Sequence, residues 1–281
     1  MFGSVEALLT ASAEKPLWQA VLEDDCQDRD AVAEASMARM DRLWESMKQS
    51  VLDYDPTRRS SCGLSGGQGA RMAAMSGSIC GPFMQEVMSV ALKMGEHNAC
   101  MGCIVAAPTA GACGVLPAVL IPFQRKDGLS DEDMVKCLYV AAGFGQVIAT
   151  RASISGAEGG CQAEIGTASA MAAAALVHAR GGTGRQMAAA CAMALQNIMG
   201  LVCDPVAGLV EVPCVKRNVI GAMNALSCAD MALAGLEVVI PCDEVIDAMG
   251  AVGRAMPASL RETGQGGLAA TPTGRRIAER R

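Results

Sequence analysis

The chain has 281 residues, a net charge of -6 and an isoelectric point near 5.1, which argues against nucleic acid as its main partner. Hydrophobic residues make up 51% of the chain and charged residues only 19%, so the main body is not intrinsically disordered. Aromatic residues account for 3%, whereas Gly and Met number 31 and 19. Small and flexible apolar side chains of this kind favour closely packed helices and disfavour strands. We therefore expect an all-α fold.

The cysteine content indicates a reducing compartment. The chain has 13 cysteines, an odd number scattered along a mid-sized sequence, which fits a disulfide framework poorly. Residues 1–10 have neither the basic start nor the clean apolar core of a secretory signal. We expect a cytoplasmic protein with reduced thiols, some of them candidates for metal binding.

Charge density divides the sequence into an outer part and a central part. Residues 1–59 carry twelve acidic and seven basic residues, and they include an apolar stripe at helical spacing. Residues 60–124 contain four charged side chains, and residues 161–203 contain three. This pattern predicts polar outer helices around an apolar central helix layer. The stripe consists of Met37, Met40, Leu43, Trp44 and Met47.

Local signals place the helices. Ser130, followed by three acidic residues, is typical of a helix start, and Gly181–Gly182 separates two Ala-rich helices. The uncharged stretches 104–123 and 186–203 are long enough to span a membrane. Pro and Gly interrupt the first and amide side chains the second, so we expect buried helices in a soluble core. Helices are expected near residues 4–20, 30–53, 68–95, 130–150, 163–179, 184–202, 216–238 and 243–255.

The predicted domain organisation is simple. We expect one helical catalytic domain over residues 1–281, with amphipathic outer helices in 1–59 and a helical core in 60–260. A Gly/Thr/Pro-rich tail follows over 261–281.

Histidine and the closely spaced cysteines give weak signals for chemistry. His97 is expected in a loop and is the better polar-site candidate, whereas His178 fits a cap at the end of an Ala-rich helix. Neither supports a zinc hydrolase. Cys100, Cys103 and Cys113 resemble a metal knuckle, but a second CxxC pair is missing. The alternative is that these three cysteines are small buried hydrophobic residues.

A second set of cysteines lies where helices meet loops. Cys161 follows two glycines, Cys203 precedes Asp-Pro, and Cys214 follows a proline. Glycines allow the backbone to approach a bulky inorganic group, and helix N-termini direct N–H groups at negative charge. The nearby Lys216 and Arg217 would stabilise an anionic cluster. From these residues alone, a cluster and purely structural cysteines both remain open.

Six ordered segments carry a resemblance to a known family. Over nearly its whole length the chain resembles the α subunit of the iron–sulfur-dependent L-serine dehydratases. The matching segments are GLSGGQ (63–68), NACMGCIVAAPTAG (98–111), EGGCQAE (158–164), LVCDPVAG (201–208), VPCVKRN (212–218) and RETGQGGLAATPTG (261–274).

The resemblance implies an all-helical catalytic domain that holds a [4Fe-4S] cluster on Cys161, Cys203 and Cys214, buried at helix–loop junctions. Three thiolates leave one iron without a protein ligand, and an open metal position is what Lewis-acid catalysis requires. The implied reaction is that of a lyase: oxygen-sensitive β-elimination of water from L-serine, giving pyruvate and ammonia without pyridoxal phosphate. Amino-acid degradation and gluconeogenesis are the implied processes. The alternatives are an L-cysteine desulfidase and a non-enzymatic subunit with a structural cluster or zinc.

The resemblance also has consequences for partners and for the substrate site. Single-chain relatives carry a Ser-Ser-His-Thr motif that this sequence lacks, so we expect a separate β subunit in a heterodimer or higher oligomer. Some relatives end in a cysteine that enters their own active site, whereas this chain ends in Arg281. We expect no nucleic-acid or membrane partner. The general base stays unassigned. Two loops and one amide side chain are candidates for binding L-serine, with tight turns between helices as the alternative for the loops: Ser65, Gly66, Gly67, Asn98, Thr109, Ala110 and Gly111.

Overall fold

The computed structural model describes residues 1–280, and within that range it contains helices and no β-strand. The expected all-α fold is therefore confirmed. Arg281, the end of the predicted tail, lies outside the described residues. The helices are α1 Val5–Ala11, α2 Leu17–Arg29, α3 Ala33–Leu52, α4 Gln68–Ala74, α5 Gly81–Ala99, α6 Val115–Asp127, α7 Asp131–Arg151, α8 Gly156–Gly159, α9 Thr167–Ala179, α10 Gly184–Ile198, α11 Cys214–Leu233, α12 Cys242–Ala255 and α13 Pro272–Glu279.

Helix α9 is the centre of the molecule. Its residues from Thr167 to Val177 are all buried, and it packs against α6, α7, α10 and α11. An Ala-rich helix has no bulky side chains to keep its neighbours away, so four helices can surround it at close range. The predicted apolar central helix layer is confirmed by this arrangement.

The outer helices α2 and α3 pack on α7. The predicted apolar stripe of α3 faces inward, with Trp44 and Met47 buried. The Trp44 indole Nε1 donates a hydrogen bond of 2.7 Å to Asp131 Oδ1 at the start of α7. Ser130 begins this helix with a capping box that it forms with Asp133, as its sequence predicts.

Several helix boundaries differ from the predicted ones. The helix expected over 4–20 is two helices, because Pro16 has no N–H to continue α1 and is favoured next to a helix start. The helix expected over 68–95 is also two helices, since Gly77, between α4 and α5, and Gly81, the first residue of α5, adopt positive φ. In the stretch 104–123, the helix begins only at Val115. No helix within residues 1–280 combines the length and hydropathy needed to cross a bilayer.

Candidate active site

Cys161 lies at the junction between α8 and a short π-helical turn over Gln162–Gly166 that leads into α9. Gly160, just before it, has φ +76, and a Cβ there would approach the Met256 side chain to 2.8 Å. Only glycine fits both the backbone conformation and the space. The Cys161 side chain is buried as a result.

Cys203 lies in extended backbone after α10 and pairs with the chain near Arg261. Its N–H donates to Leu260 O at 2.9 Å, and its carbonyl accepts from Glu262 N at 2.7 Å. This short parallel bridge holds Cys203 in a buried position without a helix of its own.

Cys214 is the first residue of α11, directly after Pro213. It is buried, and it lies at the N-terminus of a 20-residue helix, where the partial positive charge favours a thiolate. The three predicted ligands thus occupy three different backbone settings.

Three polar side chains connect these settings. The buried Gln162 amide accepts from Gly200 N at 2.7 Å, which joins the Cys161 turn to the segment before Cys203. Arg217 donates to Val202 O and to Asp204 Oδ1, both at 2.8 Å, which joins the Cys203 segment to α11. Asn218 accepts from Gly114 N and donates to Cys214 O, which joins α11 to the start of α6.

The three thiols share one electrostatic environment. Burial raises the pKa of Cys161 and of Cys214 to about 12, and it raises that of Cys203 as well. The negative charge of Glu164 raises the pKa of each thiol further. The positive charge of the Arg217 guanidinium lowers the pKa of Cys161. No three His, Cys, Asp or Glu side chains of residues 1–280 are arranged around a single metal ion.

Glu164 is a site residue that the sequence did not single out. Its Oε1 accepts a hydrogen bond of 2.8 Å from the Thr109 hydroxyl, and its Oε2 lies 3.9 Å from the Cys203 Sγ. Burial raises the pKa of this carboxyl, and the bond from Thr109 partly offsets the rise. A Cβ on Gly156 would lie 2.6 Å from Glu164 Oε2 and 3.0 Å from Cys203 Sγ, so the glycine leaves room for both groups.

The predicted loop over Thr109, Ala110 and Gly111 lies beside these groups. Besides the Thr109 contact with Glu164, the Asn98 Nδ2 donates to Ala110 O at 3.1 Å. Asn218 Nδ2 donates to Gly111 O at 2.9 Å. Thr109 and Gly111 therefore bond to Glu164 and Asn218, which contact Cys203 and Cys214, whereas Asn98 bonds only to the Ala110 between them.

The predicted loop over Ser65, Gly66 and Gly67 is hydrogen-bonded to a carboxylate of the chain itself. The buried Glu96 carboxylate accepts hydrogen bonds from Gly66 N and Gln68 N at 2.9 Å and from Gly69 N at 3.0 Å. Because these amides already hold a carboxylate of the chain itself, the loop fastens α4 to α5. The Ser65 side chain is buried. A contact between this loop and substrate stays a prediction.

Comparison with known proteins identifies the family. A family model described as "Serine dehydratase alpha chain" matches residues 12–269. The chain belongs to this family. It is 49% identical to "Probable L-serine dehydratase, alpha chain" of Bacillus subtilis (strain 168), over 99% of this chain and 94% of that protein. It is 58% identical to the protein of the same name from Latilactobacillus sakei, over 68% and 92%. It is 51% identical to "L-serine dehydratase, alpha chain" of Peptoniphilus asaccharolyticus, over 71% and 68%.

In this member of the serine dehydratase alpha chain family, the closely spaced cysteines lie in different environments. Cys100 and Cys113 are buried, whereas Cys103 is exposed. The Cys113 thiol points at the Met94 carbonyl oxygen, and burial raises its pKa to about 12. These contacts agree with the alternative interpretation of Cys113 as a buried hydrophobic residue.

The two histidines lie outside the thiol site. His97, expected in a loop, belongs to the last turn of α5, because that helix continues to Ala99. Burial lowers the pKa of His97, and Gly102 packs directly on its ring. His178 lies in the last turn of α9, where burial also lowers its pKa.

Proposed function

We propose that this chain is the α subunit of an L-serine dehydratase that holds a [4Fe-4S] cluster on Cys161, Cys203 and Cys214. The observation that supports the proposal is that Cys161, Cys203 and Cys214 come from three separate segments, are all buried, and all have their pKa raised in part by the charge of Glu164, which contacts Cys203.

The donor set fits such a cluster. Thiolates are the ligands that iron–sulfur clusters take in proteins, and in a cluster each thiolate binds a different iron atom. Ligands of a cluster therefore need not surround a single ion. The Arg217 guanidinium and the N-terminus of α11 supply positive charge close to Cys161 and Cys214. That charge would stabilise three deprotonated thiols, whose pKa values burial otherwise raises.

The proposed reaction removes water from L-serine. When bound, the cluster would supply Lewis-acid chemistry at the 3-hydroxyl, since three thiolates leave one iron open. The α-proton and the hydroxide leave the substrate, and hydrolysis of the aminoacrylate then gives pyruvate and ammonia. The proposed reaction does not involve pyridoxal phosphate.

The residues of this chain would bind and orient the substrate. Glu164 is our candidate for binding the ammonium group, because it is a half-buried carboxylate held in place by Thr109. The backbone of the Thr109–Gly111 loop, which Asn98 and Asn218 fix, is our candidate for the carboxylate. The group that accepts the α-proton is not assigned.

We further propose that a separate β subunit completes the enzyme. The supporting observation is the names of the relatives, which describe alpha chains. The isolated chain should therefore turn over serine very slowly even when it carries a cluster.

The test is anaerobic reconstitution. The purified chain should bind about four irons and four sulfides. L-Serine alone should change its spectrum, and pyruvate should form at a useful rate only after the β subunit is added. Air should abolish the activity. A chain that binds no iron, or that releases sulfide from L-cysteine with a higher kcat/KM than it forms pyruvate from L-serine, would overturn the proposal.

A further inference from the structure

A polar cavity lies between the end of α7, the short helix α8 and the C-terminal half of α12. Its volume is about 270 Å³. Four polar side chains contribute to its wall, and the remaining lining is small or apolar: Ser153, Glu158, Arg254 and Arg261 are the polar residues.

Two guanidinium groups in this wall have no acidic partner within residues 1–280. Arg254, in the last turn of α12, is exposed and makes no hydrogen bond or ion pair there. Arg261 donates from Nη1 to Glu158 O at 3.4 Å, whereas its Nε is buried without any hydrogen-bond partner. Leaving a buried charged donor unpaired is unfavourable, and a carboxylate is the group whose geometry suits a guanidinium fork.

The same wall also carries one negative charge. Glu158 Oε2 accepts a hydrogen bond of 2.7 Å from the Ser153 hydroxyl, which fixes the carboxylate at the cavity. A carboxylate in the wall repels a doubly charged anion such as phosphate and attracts an ammonium group. Two cations and one anion around a small cavity match the charges of a zwitterion.

We infer that this cavity binds a small free α-amino acid, with its carboxylate on Arg254 and Arg261 and its ammonium group on Glu158. This site is separate from the three thiols and does not depend on the proposed function. It is nevertheless connected to two thiol-bearing segments. Gly159 lines the cavity two residues before Cys161, and the backbone of Arg261 is bridged to Cys203.

The experiment uses the full-length chain and glycine labelled with ¹³C at the carboxyl group, titrated and followed by NMR. Saturable binding is expected. Arg254→Gln and Glu158→Gln should each weaken it about tenfold, because each removes a charge-assisted hydrogen bond. Arg275→Gln, which removes an exposed arginine on α13, is the matched control and should leave the affinity unchanged. Acetate, which lacks the ammonium group, should bind more weakly than glycine to the unmodified chain and about equally to the Glu158→Gln variant.

A second arm separates this site from the proposed active site. Glu164→Gln should leave the affinity for glycine unchanged, because Glu164 does not line this cavity. If Glu164→Gln weakened binding while Arg254→Gln did not, the glycine would be binding at the thiols and the inference would be wrong. Absence of saturable binding would also overturn it. Circular dichroism of each variant checks that the helices are retained, and Arg254, being exposed, can be replaced without opening the core.

Discussion

Two trios of cysteines in this chain differ in what surrounds them. The first trio, Cys161, Cys203 and Cys214, is spread along the sequence, yet all three side chains are buried. The charge of Glu164 raises the pKa of each of them. Cys100, Cys103 and Cys113 are closer together in sequence, and the structure gives them different environments. Cys100 is the residue that directly follows α5. Met101, with φ +60, then turns the chain, and Cys103 is exposed.

The comparison shows that short spacing does not by itself make a site. Cys100 and Cys103 are only three positions apart, but Cys100 caps the C-terminus of α5 and the left-handed Met101 lies between the two cysteines. In the first trio, by contrast, hydrogen bonds of Gln162, Arg217 and Asn218 hold three distant segments together. Long-range polar contacts therefore create the thiol environment.

The largest effect should come from Cys203→Ser. A serine hydroxyl is a poor iron ligand, so the variant should lose the brown absorbance of the cluster together with the dehydratase activity. Cys161→Ser and Cys214→Ser should behave in the same way. Iron and sulfide analysis of the anaerobically reconstituted chains is the measurement.

The matched controls for this prediction are Cys100→Ser and Cys103→Ser, which should retain the cluster. If the cluster survived in Cys203→Ser, or was lost in Cys103→Ser, the assignment of Cys161, Cys203 and Cys214 as its ligands would be wrong.

The next largest effect concerns the buried ion pair that links the Cys203 segment to α11. Arg217→Gln would leave Asp204, whose side chain is 4% exposed, without its counter-charge. Breaking a buried pair from one side costs about 3–5 kcal/mol of the free energy of unfolding. Denaturant unfolding of the chain should show this loss. Arg185→Gln, at an exposed position, should change the stability very little.

The two trios also differ in whether the sequence alone predicts their environment. The all-α fold, the Ser130 helix start and the buried helix α9 follow from composition, capping signals and uncharged stretches, which are local properties. From the residues alone, however, a cluster and structural cysteines could not be separated, and only the family resemblance selected three of the thirteen cysteines.

Other parts of the site depend on contacts that no local pattern encodes. Thr109 and Glu164 are 55 positions apart in the chain but are joined by one hydrogen bond. Glu96 accepts from three amides of the 66–69 loop, and the glycines of that loop gave no sign of a partner on α5. A single carboxylate in an otherwise uncharged stretch has no spacing signature, so sequence analysis could not assign Glu164 or Glu96 a role.

A smaller effect is expected at Glu164. In Glu164→Gln the Thr109 hydroxyl keeps an acceptor and the three thiols remain, so the cluster absorbance should be retained. The lost negative charge should lower the kcat/KM for L-serine by roughly 10- to 100-fold, mainly through a higher KM, because one charge-assisted hydrogen bond is removed. Steady-state pyruvate formation by the complex of both subunits measures the change. Loss of the cluster in this variant would show that Glu164 supports the thiols rather than the substrate.

The last prediction compares the reactivity of the two trios towards a thiol reagent in the unmodified chain. At pH 8 a thiol-specific maleimide should label Cys103 quickly, because this side chain is exposed, and mass spectrometry of the peptides identifies the site. Cys113 and the proposed cluster ligands Cys161 and Cys214 should react slowly even without iron. They are buried, and their pKa values of about 12 leave very little thiolate at that pH. Labelling of Cys113 and Cys161 should therefore accelerate only when the chain is unfolded in denaturant. If Cys161 reacted as fast as Cys103 in the native, iron-free chain, the thiol site would be open to solvent, and the burial on which the difference between the trios depends would be wrong.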